Sequence, residues 1–150
     1  VLRPGLTDAN DHPGDHVERG DIEALVVNLV EWAASYARIA GLALVGSHAR
    51  GASRSDSGVD IVVLTEAPNA FFEDTSWLRR FGATARWRDE TWGRVRTLRA
   101  WRRDGSELEF NFATPDWARQ PLDEETRRVV EDGVRVLFDR TGELRALLQA

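Results

Sequence analysis

Six consecutive residues, Val59-Asp60-Ile61-Val62-Val63-Leu64, set one acid among five aliphatic side chains. A run this short and this apolar, bounded by turn formers, reads as a buried strand with Asp60 at its mouth. A second apolar stretch, Leu42 to Val45, precedes it and ends in Gly46-Ser47. Gly46 lets the backbone approach a ligand because it has no Cβ. Ser47 adds a hydroxyl, and Arg50 a planar cation suited to phosphate oxygens. An ordinary strand-to-helix turn accounts for Gly46-Ser47 alone; Arg50 and the acid downstream shift the reading toward a phosphate cradle beside a carboxylate, and hence toward chemistry on a nucleotide.

The rest of the chain is consistent with one such domain. Its 150 residues suffice for a real core, and 42% are hydrophobic, with six Trp. The formal net charge of -5 argues against a general nucleic-acid binder, which would carry a basic footprint. All 20 basic residues are Arg, so a lysine nucleophile or a P-loop lysine is excluded. The absence of Cys excludes disulfides, thiol catalysis and thiolate metal sites. No apolar run reaches membrane-spanning length and no signal pattern opens the sequence, so a cytoplasmic location with no membrane partner is expected.

Residues 1–20 are rich in Asp, His, Gly and Pro and read as a loose lead-in; residues 21–150 form the domain. His12 and His16 lack further clustered ligands and read as a solvated tail rather than a metal site. From Asp21, a plausible N-cap, the spacing of Ile22, Leu25, Val26, Leu29, Val30 and Ala33 predicts a helix that Gly41 would stop. Residues 68–82 hold a loop and a short helix around Trp77. Gly93 to Trp101 alternates as a strand, Arg103-Asp104-Gly105 turns, and Glu107 to Phe112 returns antiparallel. Along that strand Leu108, Phe110 and Phe112 share one face, and Glu107, Glu109 and Asn111 the other. Asp123 caps a helix that Gly133 ends; Val134 to Phe138 is a last strand, and Gly142 to Leu148 a terminal helix. The expected class is α/β or α+β, a twisted mixed sheet with helices mainly on one face. Trp87, Trp92, Trp101 and Trp117 read as core or cleft wall rather than as platforms for a base.

Moving a nucleotidyl group requires a gripped triphosphate, neutralised charge and an aligned acceptor hydroxyl. Two divalent ions roughly 3.5–4 Å apart serve many such sites, held by carboxylates and by the substrate's own phosphates. An Asp-x-Asp strand start is the simplest clamp, because side chains two apart point the same way.

Gly46-Ser47-His48-Ala49-Arg50-Gly51, a polar spacer, and Ser57-Gly58-Val59-Asp60-Ile61 resemble the signature of the DNA polymerase beta superfamily of nucleotidyltransferases. The small bacterial members and those related to aminoglycoside adenylyltransferases are the most similar. Trp77-Leu78-Arg79-Arg80-Phe81-Gly82, Glu107-Leu108-Glu109-Phe110 and the segment Asp132 to Asp139 extend the resemblance over most of the chain from Asp21. The resemblance implies a Mg²⁺-dependent (or Mn²⁺-dependent) transfer of NMP, from ATP or another NTP, to a hydroxyl on a small molecule or a protein. It implies that Gly46 and Ser47 hold the β- and γ-phosphates and that Arg50 steadies the turn or the phosphates. Asp60 becomes the second acid of the pair and a metal ligand. Glu109 becomes the third acid, ligating metal and helping to deprotonate the acceptor, with Glu107 as the alternative. A strand Glu paired across to Arg96 or Arg99 explains Glu109 without any metal.

Gly58 stands where the family has the first acid. Asp56 lies roughly 13 Å from Asp60 if the segment is extended, so a curled turn would be needed to return its carboxylate. A rival reading follows: a catalytically inactive nucleotide-binding or antitoxin-like module with a helical partner protein. The short chain leaves the acceptor side to a second subunit, as in a homo-oligomer, or to such a partner.

Overall fold

The computed structural model describes residues 13–46, 49 and 58–148, with side chains from residue 22 onward. Helix α1 (Pro13–Ser35) leads into strands β1 (Gly41–Val45) and β2 (Val59–Leu64). A short helix α2 (Ala70–Glu73) and a 3-10 turn (Ser76–Phe81) precede β3 (Ala83–Trp92), β4 (Val95–Arg102) and β5 (Glu107–Ala113). A second 3-10 turn (Pro115–Ala118), α3 (Glu124–Asp132), β6 (Val134–Asp139) and α4 (Glu143–Leu147) complete the order.

The strands form one mixed sheet, β3-β4-β5-β2-β1-β6, in which β2 and β5 run parallel and the other pairs antiparallel. The odd-numbered residues of β2 pack with Leu42, Leu44, Leu108, Phe110 and Phe112 onto α1 and onto Phe71, Leu78 and Phe81. Trp32 stacks on Trp77 at 5.1 Å between ring centroids, and Trp77 meets Phe110 edge-on at 4.8 Å. Edge-to-face contacts of this kind add about 0.5–1.5 kcal/mol each beyond burial. This aromatic cluster makes β2 and β5 a rigid platform.

The opposite face carries a smaller cluster, in which Ala43, Val45, Val62, Leu64 and Ala113 pack against Trp117, Leu144 and Leu147. Helices therefore cover parts of both faces rather than mainly one. The uncovered remainder of this second face is where the acids lie.

Several boundaries differ from expectation. Helix α1 begins at Pro13, and Asp21 lies within it rather than capping it. A proline is pre-organised for a first helical turn, and polar residues do not oppose a helix as such. The helix ends at Ser35 without using Gly41, which instead opens β1. Arg140 supplies the cap by donating to the carbonyls of Ala33 (3.1 Å) and Ile39 (3.1 Å), a cation where the helix dipole is negative. Strand β3 was not legible: its polar residues alternate poorly because it is a largely exposed edge strand. The cap of α3 is as expected, Asp123 accepting from the Thr126 amide at 2.8 Å and Gly133 closing the helix.

Candidate active site

Register builds the site. Across the sheet, Val45 pairs with Asp60, Asp60 with Glu109, and Glu109 with Arg99. Directly paired residues project to the same side, so four strands deliver one transverse row of side chains. Asp60 and Glu109, 49 positions apart in sequence, meet across the parallel β2–β5 ladder and share a side-chain hydrogen bond. Their carboxylates point to the same side of the sheet, as a paired clamp requires.

Two such groups cannot both ionise cheaply at hydrogen-bonding distance. Burial, then the neighbouring Asp60 charge, pushes the Glu109 pKa up to about 7, against the opposing pull of Arg99. A carboxyl poised there suits proton exchange near neutral pH.

The glycine bend abuts this pair. Gly46 has φ +75, the left-handed region, and a Cβ built on it would lie 3.5 Å from Asp60 Oδ2. Its carbonyl accepts from the Ala49 amide at 3.1 Å, closing a tight turn. The bend thus brings backbone that carries no Cβ close beside the Asp60 carboxylate. Ser47 and Arg50, the other cradle residues, lie outside the described residues, as does Asp56.

A cleft of ≈ 290 Å³ opens from Gly46 and Asp60 along the uncovered sheet face. Val62 and Asn111 line it together with Trp92, Trp117 and Val129. Trp117 is buried, whereas Trp92 is 57% exposed, so Trp92 is a cleft rim and Trp117 a wall. Arg94 pins the rim in place by bridging Asp123 (2.7 Å) and Asp116 (3.1 Å).

Two residues here escaped sequence reasoning as site components. Asn111 donates to the Ile61 carbonyl at 3.0 Å and accepts from buried Thr97 at 2.7 Å, locking β5 to β2 and β4 beneath the acids. Its position two residues beyond Glu109, on the same face, was the available signal. Arg99, considered as a simple partner of Glu109, reaches further. Its guanidinium contacts Glu109 (3.1 Å), Glu107 (3.2 Å) and Glu90 (3.1 Å). Burial opposes its charge, but the Glu90 hydrogen bond and the three carboxylates outweigh this and raise its pKa further. The sequence offers Arg96 or Arg99 as the cross-strand partner of Glu109, and the register of the β4–β5 hairpin selects Arg99. Arg96 turns away to Asp89 (2.6 Å) and to the Phe72 ring.

Whether these residues suit a divalent cation is a question of donors. Asp60 and Glu109 offer hard carboxylate oxygens side by side, the set that Mg²⁺ takes when phosphates and water complete its shell. Among the described residues no three Asp, Glu or His side chains converge to hold a metal. Gly58 adds no donor, and Glu107 is held by Arg99. Asp60 and Glu109 are the carboxylates the described residues leave for such an ion here.

Solved structures share this arrangement of strands. An aminoglycoside 6-adenyltransferase from Bacillus subtilis matches 65% of the chain at 18% identity and a TM-score of 0.50. The polymerase core of TRAMP, an RNA surveillance complex, matches 82% of the chain at 15% identity and a TM-score of 0.50. The chain spans 36% and 37% of those two proteins, so the likeness is one of fold. No curated protein sequence matches. The family model described as streptomycin adenylyltransferase matches residues 21–142, across both acids, the glycine bend and the closing strand, and the chain belongs to that family.

Proposed function

We propose that the chain transfers a nucleoside monophosphate, AMP from ATP foremost, to an acceptor hydroxyl with release of pyrophosphate. The observation that carries the reading is the Asp60–Glu109 pair, of which Asp60 lies beside the Gly46 bend and lines a cleft. In the reaction the acceptor oxygen bonds to the α-phosphorus, the bond from that phosphorus to the bridging oxygen breaks, and the hydroxyl proton leaves to a base. Glu109 is assigned the proton, and Asp60 and Glu109 the metal ligation. Gly46 and Ser47 are assigned the terminal phosphates and Arg50 the support of that grip. A bound Mg²⁺ or Mn²⁺ would supply charge neutralisation on the phosphates. The acceptor is a hydroxyl on a small molecule or on a protein. None of the described helices is long and apolar enough to cross a membrane.

The test is transfer of label from α-labelled ATP with Mg²⁺ or Mn²⁺ across a panel of hydroxyl acceptors, aminoglycosides included. Asp60→Asn and Glu109→Gln should each lower transfer by about 10²-fold or more, the scale of losing a group that acts on the developing charge. Undiminished transfer in both would refute the assignment.

Gly58 favours a second reading, a module that binds nucleotide or a helical partner and no longer catalyses. Firm nucleotide binding without turnover in the natural chain, with turnover appearing in Gly58→Asp, would support it.

A further inference from the structure

The transverse row that runs through Val45, Asp60, Glu109 and Arg99 does not stop at Arg99, because β3 adds Arg88 opposite it. The two ends of the row differ. At one end stand the Gly46 bend and the cleft, which Asp60 lines and Glu109 does not. At the other, β4 and β3 carry Trp101, Arg86 and Arg88. Trp101 lies two residues beyond Arg99 and opposite Glu107, so it projects to the acid-bearing side. That makes it a diagonal neighbour of Glu109, roughly 7–8 Å away. Among the described residues, the helices of this face lie mainly over β1 and β6.

Local structure aims Arg86 at Trp101. Ala83 pairs with Arg102 and Trp87 with Ala100, so Thr84, Ala85 and Arg86 together oppose Trp101 alone. A bulge of this kind bends its strand and re-aims a side chain. Thr84 fixes it by donating its hydroxyl to the Trp101 carbonyl at 3.0 Å and accepting from the Arg86 amide at 3.1 Å. The Arg86 guanidinium then lies over the Trp101 ring, 4.2 Å from its centroid. Ring contact orients the cation without engaging its hydrogen-bond donors, and no described carboxylate pairs with it. Arg88, on the same side as Arg99, is 65% exposed and meets Glu90 only at 3.5 Å. Arg99, by contrast, is engaged by Glu90, Glu107 and Glu109.

Bulges and charged side chains also guard a free sheet edge, but that task is indifferent to the sign of the charge. Here both loosely held charges are positive, in a chain of net charge -5, beside the acid assigned the acceptor's proton. We propose that Arg86 and Arg88, with Trp101 beneath, bind an anionic group of the acceptor, so that the acceptor is a hydroxyl compound bearing a phosphate or a carboxylate. This names the acceptor class for the nucleotidyl-transfer reading and rests on it. The acceptor lies across β4 with its hydroxyl at Glu109, and the nucleotide enters from the Gly46 end. Two strand spacings, roughly 10 Å, separate Glu109 from Arg88. The arginine side chains reach back over part of that, so a sugar-sized molecule spans the gap. A guanidinium fork matches the oxygens of either anion.

The test is calorimetric titration, without ATP, of ribose 5-phosphate, gluconate, ribose and a cationic aminoglycoside. Ribose 5-phosphate or gluconate should bind at least about tenfold more tightly than the other two, and the better of the pair identifies the anion. Arg86→Gln and Arg88→Gln should each weaken that binding about tenfold and leave affinity for a non-hydrolysable ATP analogue within about twofold. Both side chains are exposed, so these variants should fold. Arg50→Gln, which alters the proposed phosphate grip, should do the reverse. No preference for the anions, tightest binding of the aminoglycoside, or unchanged anion binding in the Arg86 and Arg88 variants would each overturn the proposal. Anion binding lost in Arg50→Gln instead would place the anion in the nucleotide cradle and overturn it as well. Failure of ATP-analogue binding with Arg86-dependent anion binding intact would sink the transfer reading and leave the anion site standing.

Discussion

Gly58 faces Glu107: a Cβ built on the glycine would lie 3.4 Å from the glutamate's Oε2. The backbone at Gly58 is not in the left-handed region, so a side chain there meets no strain of that kind. Gly58→Asp would instead bring a carboxylate beside Glu107, Asp60 and Glu109. Without divalent ions this variant should be less stable than the natural chain by about 1 kcal/mol, from like-charge crowding. With Mn²⁺ the order should reverse, and Mn²⁺ affinity should rise at least about tenfold. Thermal melts with and without Mn²⁺ check the sign change.

Glu109 carries a pH dependence whose sign can be worked out. Its folded pKa is about 7 against an ordinary 4.5, so the folded chain binds more protons than the unfolded one between those values. Its contribution is fully present below about pH 4.5 and declines as pH rises through about 7. Glu109→Gln mimics the protonated acid and has no such decline. Relative to the natural chain, it should gain about 1–2 kcal/mol across that window, the figure being reduced because the Glu109 side chain is partly exposed to solvent. Urea unfolding from pH 4.5 to 8 without divalent ions measures it; parallel curves would contradict the shared-proton geometry.

Gly46 is held at φ +75 beside Asp60 Oδ2. A side chain in the left-handed region costs about 1–2 kcal/mol. Gly46→Ala should therefore destabilise the chain by that amount, and on the proposed phosphate grip it should also weaken ATP-analogue binding by more than tenfold. Equal loss in a stability control distant from the site, with binding unaffected in Gly46→Ala, would separate strain from contact.

Asp139 ends β6 with a side chain only 1% exposed. It accepts from the amides of Gly142 (3.1 Å), Leu144 (3.3 Å) and Arg145 (3.0 Å). Asp139→Ala would orphan these donors and loosen α4, whose Leu144 and Leu147 fill the second core. A loss of about 2–3 kcal/mol in chemical denaturation is expected, with the Asp60–Glu109 pair left intact and Mn²⁺ still bound.

Much of the architecture could be read from local chemistry. Alternation along Glu107 to Phe112 separated Leu108, Phe110 and Phe112, which are buried, from Glu107 and Glu109, which face the site. The apolar run at Val59 and the cap at Asp123 behave the same way. Features set by tertiary context did not show. The edge strand β3 is mostly exposed and packs little beyond Ala83 and Trp87 against the core, and the end of α1 depends on Arg140, more than a hundred residues away in sequence. At the site, each acid was recognisable alone. The hairpin turn already placed Arg99 opposite the β5 glutamates, but Glu90 joins them from β3, a strand the sequence did not reveal.

The β2–β5 ladder is the parallel pairing in the described sheet, and its connection runs through residues 65–106. Antiparallel neighbours such as β4 and β5 meet through short turns, whereas this pair closes a long loop and carries the entropic burden of doing so. Each half of the sheet owns one member of the carboxylate pair and neither owns both. Assembly of the carboxylate pair is thus a readout of completed topology: a chain with every hairpin formed but this one seam unzipped would lack it.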